Sequence, residues 1–234
     1  MLDEARRYQQ LFLNQHMAWL TAIRYQLRVP RIWENSTLSE NVAFLRIFCI
    51  TAKQETLLEI ALEPYLIPIQ INRVMQNPDD AATLCLGLQM ELISVAIKNN
   101  YLGRDEAKTI SQTMGRLGDL ESRAFLIKNV PYPRSYNSMT IYFRNLFLLS
   151  LPITILSQLS AKHMIFELIP LVMIIGWVMM FLEKVGQNIM YPFESGPNDV
   201  PITTISKHIE VVMKKLLGMK DVPEEIVPKF DMAL

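Results

Sequence analysis

The sequence predicts an all-α membrane protein: a transmembrane helical hairpin joined to a mostly helical body. Three observations predict it. Apolar residues recur at helical spacing along most of the chain, and strand alternation is nearly absent. Two apolar stretches of 19 residues, 141–159 and 164–182, lie four residues apart, each with a single charge near one end. Half of the 234 residues are apolar and the mean hydropathy is positive, although 20% are charged. That balance is high for a chain that meets only water.

The first helix is expected over 2–28, with Ala5, Phe12, Trp19, Ile23 and Leu27 near a 3.6 spacing and Arg6, Gln10, Asn14 and Arg24 largely opposite. It opens directly with charged residues, so no signal peptide is expected. Pro30 ends it. Ser36 and Thr37 offer capping hydroxyls to a helix over about 38–62, whose run Val42–Ile50 is too short to span a bilayer and reads as core. Pro64 and Pro68 interrupt, and a short helix follows to Gln76. Asn77-Pro78-Asp79-Asp80 is a strong helix start, with a cap, a first-turn proline and two acids facing the helix dipole. That helix runs to about Asn99, and another runs from Gly103 to about Ile127 with Asp105 and Glu106 in its first turn.

Pro131-Tyr132-Pro133 is a rigid corner before the hairpin. Each 19-residue stretch is just long enough for a hydrocarbon core of about 30 Å. The Ser160-Ala161-Lys162-His163 link makes the two helices antiparallel neighbours, and Pro152 and Pro170 inside them are tolerated in membranes. A hairpin buried in a soluble core is the plainer alternative; the flanking protein is small for that. Arg144 and Glu167, near the helix ends, could line a pathway, pair together, or snorkel to the interface, and the last is the expectation. Arg116, Arg123, Lys128, Arg134 and Lys184 flank the open side, against Lys162 alone in the turn. Both flanks should therefore be cytoplasmic. The organisation expected is a cytoplasmic helical region (1–134), the hairpin (135–186) and a cytoplasmic turn, helix and tail (187–234). In the tail, Ile205, Ile209, Val212, Met213 and Leu216 give a helix from Thr203 to about Leu217 an apolar face.

Function classes narrow by exclusion. Equal numbers of acidic and basic residues argue against a nucleic-acid binder. His16, His163 and His208 are far apart and lack ligand spacing, and no nucleotide-loop, nucleophile-elbow or zincin motif occurs. Cys49 and Cys85 read as buried free thiols. No enzyme, cofactor or metal is expected.

The segment after the hairpin is the most specific: Tyr191-Pro192-Phe193-Glu194-Ser195-Gly196-Pro197-Asn198-Asp199-Val200-Pro201-Ile202. It resembles the bacterial branch of the bestrophin family, in which a Pro-Phe-Gly turn and an Asn-Asp-Leu-Pro-Leu element follow the last membrane helix. Lys184-Val185-Gly186 resembles the family's Glu-Ile-Gly approach. Val130-Pro131-Tyr132-Pro133-Arg134-Ser135-Tyr136 resembles its proline corner before the third membrane helix, and Glu4-Ala5-Arg6 the Glu-Ala-Arg after the second. The order and spacing of these elements agree over most of the chain.

The resemblance implies a homopentameric ion channel, passing chloride or other anions, or monovalent cations, along one axial pore. That pore has an apolar neck in the membrane and a second, cytoplasmic constriction. It also implies a bacterial inner-membrane location, with lipid and small inorganic ions as partners. An alignment through Leu102–Pro133 puts Asp105 or Glu106 near the cytoplasmic constriction, where a carboxylate ring would favour cations; the plainer reading is two acids favoured by a helix dipole. Pro192, Phe193, Asn198 and Asp199 are expected to form a structural belt tying one protomer to the next, or else an ordinary capped turn. Animal members are gated by calcium. Here Tyr191 stands where the family has an acid or amide, and Glu194 and Asp199 are too few for six to eight oxygens, so no calcium site is expected. Against the family pattern the chain begins after the second membrane helix. The runner-up expectation is therefore a non-conducting, membrane-anchored interaction or regulatory module.

Overall fold

A computed structural model describes residues 2–34, 58–130, 134–158, 165–194, 199–219 and 222–223. The helices are α1 (Leu2–Arg28), α2 (Leu58–Leu62), α3 (Pro68–Met75), α4 (Ala81–Lys98, entered through a 3-10 turn Pro78–Asp80), α5 (Arg104–Asn129), α6 (Arg134–Gln158), α7 (Ile165–Ile189) and α8 (Ile202–Leu216). No strand occurs among the described residues. Most of the helix expected over 38–62, with Ser36, Thr37 and Cys49, lies outside the described residues, as do the Pro131–Pro133 corner, His163 and Asn198.

The chain divides into two compact units, residues 1–129 with 192–234, and residues 130–191. In the first, α1 and α4 form an antiparallel pair whose register is fixed by polar contacts along its length. Tyr101 Oη donates to Glu4 Oε2 at 2.9 Å, Asn99 Nδ2 to Tyr8 Oη at 2.9 Å, and His16 Nδ1 lies 3.3 Å from Gln89 Oε1. Between these, Ala18, Ala22, Ala81, Ala82 and Cys85 are fully buried in one cluster with Trp19, Leu62 and Val74. Small side chains bring the two backbones close, and the larger ones from α2 and α3 close the sides. Helix α5 runs antiparallel to α4, with Gly118 against Leu86 and Glu121 bonded to Thr83.

The start of α4 differs from expectation. Asn77 makes no side-chain cap. Gln26, near the end of α1, does the work instead: its Nε2 donates to the carbonyls of Pro78 (2.9 Å) and Asp79 (2.5 Å), and its Oε1 accepts the Ala82 N–H (3.3 Å). An end buried against a neighbour takes its cap from that neighbour. At the far end of α4, Asn100 adopts φ 55° and Tyr101 N–H returns to Ala96 O at 2.9 Å, closing the helix with a Schellman turn. Gly218 (φ 66°) does the same for α8, with Met219 N–H on Lys214 O at 3.1 Å.

By length and composition three helical stretches could cross a membrane: Pro78–Lys98, Ser138–Ile155 and Ile169–Gln187. The first is 44% buried inside the body, and its open face carries Thr83, Gly87, Glu91, Ser94 and Lys98, so it is a core helix. The other two, in α6 and α7, have nothing buried, and Phe143, Leu149, Ile153, Met173 and Trp177 stand open. These are the two helices of the expected hairpin. Both extend beyond 141 and 182 at the open end, by seven residues each.

Candidate functional site

At the start of α5, Asp105 and Glu106 are both exposed, but they do different things. Glu106 Oε2 accepts the Gly103 N–H at 3.2 Å, the back-bond that a carboxylate at the third helical position makes to the cap residue. Glu106 is therefore used, at least in part, by the helix itself. Asp105, one position earlier, turns its carboxylate to solvent. Only its main-chain carbonyl is engaged, accepting the Thr109 hydroxyl at 3.1 Å.

The segment between α7 and α8 closes on itself. Val200 N–H donates to Pro192 O at 3.0 Å, and Phe193 is buried. Pro192 fixes the first bend and Phe193 is buried, so both positions have a role within one chain. Asp199 is half-buried, with an interaction of its own. Among the described residues no group of three or more His, Cys, Asp or Glu comes together to hold a metal.

In the hairpin, the Arg144 guanidinium forms an ion pair with Glu183. The expectation that Arg144 snorkels alone to the interface is corrected by this contact. Its partner lies just beyond the stretch read from the sequence, because the antiparallel register sets 144 against 183. The same register brings Gly176 to Leu148, where a Cβ on the glycine would lie 3.6 Å from Leu148 Cδ2. Around Pro152, the hydroxyls of Ser150 and Thr154 donate to the carbonyls of Phe147 and Ser150, each at 3.0 Å.

Two buried charged sites were missed by sequence reasoning. Glu121, 5% exposed, accepts the Trp19 indole N–H at 2.6 Å and the Thr83 hydroxyl at 2.7 Å, tying α1, α4 and α5 together. Lys128, 4% exposed, pairs with buried Glu34. Lys128 is thus no free interfacial cation, and it drops out of the charge count at the hairpin's open side. A signal existed: the buried positions of α5 are Ala107, Met114, Glu121 and Lys128, one every seven residues. A charge on a stripe of that period marks an internal partner.

A third polar cluster joins α8 to the α2–α3 turn. Glu210 accepts Tyr65 Oη at 2.6 Å, Lys214 Nζ at 2.9 Å and Lys207 Nζ at 3.1 Å. Burial works against the Glu210 carboxylate, but Tyr65, Lys214 and Lys207 together hold its pKa below the usual range. Burial, then Glu210, pushes the Tyr65 phenol up. Burial pushes the Cys85 thiol to about 12 and holds His16 below its ordinary value, against the Gln89 hydrogen bond.

The sequence profile of the bacterial/fungal bestrophin proteins matches residues 2–215. The chain belongs to the bestrophin family. Bestrophins are ion channels and not enzymes, so the chain is a membrane protein with a channel kind of role. Solved bestrophin structures share the fold. A bacterial bestrophin homologue from Klebsiella pneumoniae, crystallised with an Asp-to-Ala substitution, superposes with a TM-score of 0.70 at 14% identity over 94% of this chain and 70% of its own. The same homologue with an Ile-to-Thr substitution gives 0.67 at 13% over 94% and 68%. A crystal structure described as a membrane protein with a Gly-to-Ala substitution gives 0.71 at 13% over 94% and 70%. A comparison with curated proteins finds no significant match. Among the bestrophin elements, Glu4 of Glu-Ala-Arg is the acceptor for Tyr101, so that motif fastens the start of α1 to the end of α4.

Proposed function

We propose that the chain is a subunit of a homopentameric bestrophin channel that conducts monovalent ions passively across a bacterial inner membrane. The observation that carries this reading is the α6–α7 hairpin, apolar over two membrane-length stretches with nothing buried, within a family of channels. Arg116, Arg123, Arg134 and Lys184 near the open side, against Lys162 in the turn, support a cytoplasmic body. The exposed Asp105 carboxylate, repeated once per protomer, supports a bias toward cations at a cytoplasmic constriction; Glu106 contributes less because it caps α5. The Pro192–Val200 turn, with Phe193 buried within it, supports a belt between protomers.

Recording from purified protein in planar bilayers tests the reading. Single-channel currents are expected, with a reversal potential in a KCl gradient on the cation side. Asp105→Asn shifts it toward zero and Glu106→Gln shifts it less. A folded oligomer that stays silent at high protein load overturns conduction, and an unchanged reversal potential in both variants overturns the carboxylate ring.

A further inference from the structure

The exposed face of α5 changes character along its length. From Arg104 to Asp119 every exposed side chain is polar or charged. Beyond that point Leu120, Leu126, Ile127 and Val130 are each more than half exposed. At the α-helical repeat Leu120, Arg123, Leu126 and Ile127 share one arc of about 120°, and Val130 follows where the helix ends. Arg123 is the only exposed charge from Leu120 to Val130, because Glu121 and Lys128 are buried with partners inside the body.

A second element adds to this end. Glu34, paired with Lys128, holds the loop after α1 against the last turn of α5. At the start of that loop Val29 is exposed, and Ile32 is 94% exposed. Apolar side chains from two elements thus stand open together.

The covalent chain says what lies beside them. Residues 131–133 link Val130 to Arg134, where α6 begins, so the two Cα atoms are at most about 14 Å apart. The apolar stretch of α6 starts at Ser138, roughly one helical turn or about 6 Å further on. Val130 is thereby tethered within about 20 Å of the hydrocarbon edge, and the headgroup layer outside that edge is about 5–8 Å deep. The face of α5 turns from polar to apolar at the end that feeds the membrane.

We propose that the last turn of α5 and the loop after α1 rest in the headgroup layer of the bilayer that the hairpin crosses. Leu126, Ile127, Val130 and Ile32 enter the layer, and Arg123 meets anionic headgroups at its rim. One end of α5 is then held by lipid while the other carries Asp105. The contact rests on the hairpin crossing the membrane and not on conduction.

The test is fluorescence quenching in the full chain, with Cys49→Ser removing one thiol and buried Cys85 left in place. Ile127→Cys, Ile32→Cys and Arg116→Cys are each labelled and reconstituted in vesicles of phosphatidylcholine and phosphatidylglycerol. Labels at 127 and 32 are expected to lose roughly half or more of their emission to lipid brominated near the top of its acyl chains, and little to iodide in the water. The label at 116, about 16 Å back along the helix, is expected to show the reverse. Iodide quenching at 127 or 32 as strong as at 116 would overturn the proposal, because the face would stand in water. Protection of either label from both quenchers would overturn it in favour of a protein cover, such as a second copy of this chain. Ile153→Cys is the control within the hairpin: without lipid quenching there, the membrane reading fails and the proposal fails with it. Silence in bilayer recordings alongside quenching at 127 and 32 would leave the contact standing and remove only conduction.

Discussion

Glu121 shows how one side chain can set the arrangement of three helices. Its carboxylate accepts from the buried Trp19 indole N–H and from the Thr83 hydroxyl. Glu121→Leu strands a buried N–H, and the expected loss is about 2–3 kcal/mol, read as a lower unfolding midpoint in detergent. Glu121→Gln keeps an acceptor and should lose less; equal loss for both would show that the charge matters more than the bonds. His16 gives the body a pH dependence. Its pKa is lowered on folding, so the unfolded chain binds the proton more readily. Stability is therefore full above the unfolded value of about 6.5 and falls as pH drops below it. Between pH 7.5 and 5.5 the thermal midpoint should fall, and His16→Gln should flatten that slope. Glu210, with a lowered carboxylate pKa, adds a separate loss only in more acidic solution, as pH falls through its folded value. Neither effect was legible in the sequence. His16 lies on the first helix expected from the sequence, but its partner Gln89 is 73 positions away.

At the scale of elements, periodicity and punctuation were the most legible signals. Pro30, Pro68, Asn77-Pro78 and Gly103 all mark helix boundaries close to those observed. The cap at Asn77 was not legible as it stands, because Gln26 reaches it from another helix. The apolar face of α8 was legible, but only part of it is covered: Ile209 and Met213 are half-buried, whereas Ile205, Val212 and Leu216 stand exposed. Glu210, on the buried side with Val211, takes its partners Tyr65, Lys207 and Lys214 there. The hairpin's extent was read short because Glu183 looks like an end signal, whereas it continues α7 as the partner of Arg144. Removing one charge from that pair leaves the other alone in an apolar setting. Arg144→Met should lower hairpin stability and channel yield, and Glu183→Gln added to it should restore both. If the double substitution is as defective as the single, the pair is not what holds those helices.

For the whole molecule, the family and the hairpin were legible because they rest on local patterns: two apolar stretches, a proline corner and the Pro-Phe and Asn-Asp elements. The candidate acids were legible only as positions. Which of them caps a helix and which faces water needed Gly103 and Thr109 in place. Sidedness can be checked directly. In intact cells Lys162→Cys in the turn should react with an impermeant maleimide, and Ser94→Cys on the exposed face of α4 should react only after the membrane is opened. The reverse pattern would invert the protein in the membrane. Buried Cys85, with its thiol pushed to about 12, should stay unlabelled in both conditions.

The Gln26 cap also sets a schedule. The carbonyls and N–H that it binds lie 52 to 56 residues further along the chain. At about 5–20 residues per second, α1 leaves the ribosome roughly 3–11 s before α4 can cover it. During that interval Ala18, Trp19 and Ala22 lack the Ala81, Ala82 and Cys85 that share their cluster, and the start of α4 has no lid until both are out. Stalled nascent chains should therefore show α1 open to protease until the residues of α4 have cleared the exit tunnel, and closed soon afterwards.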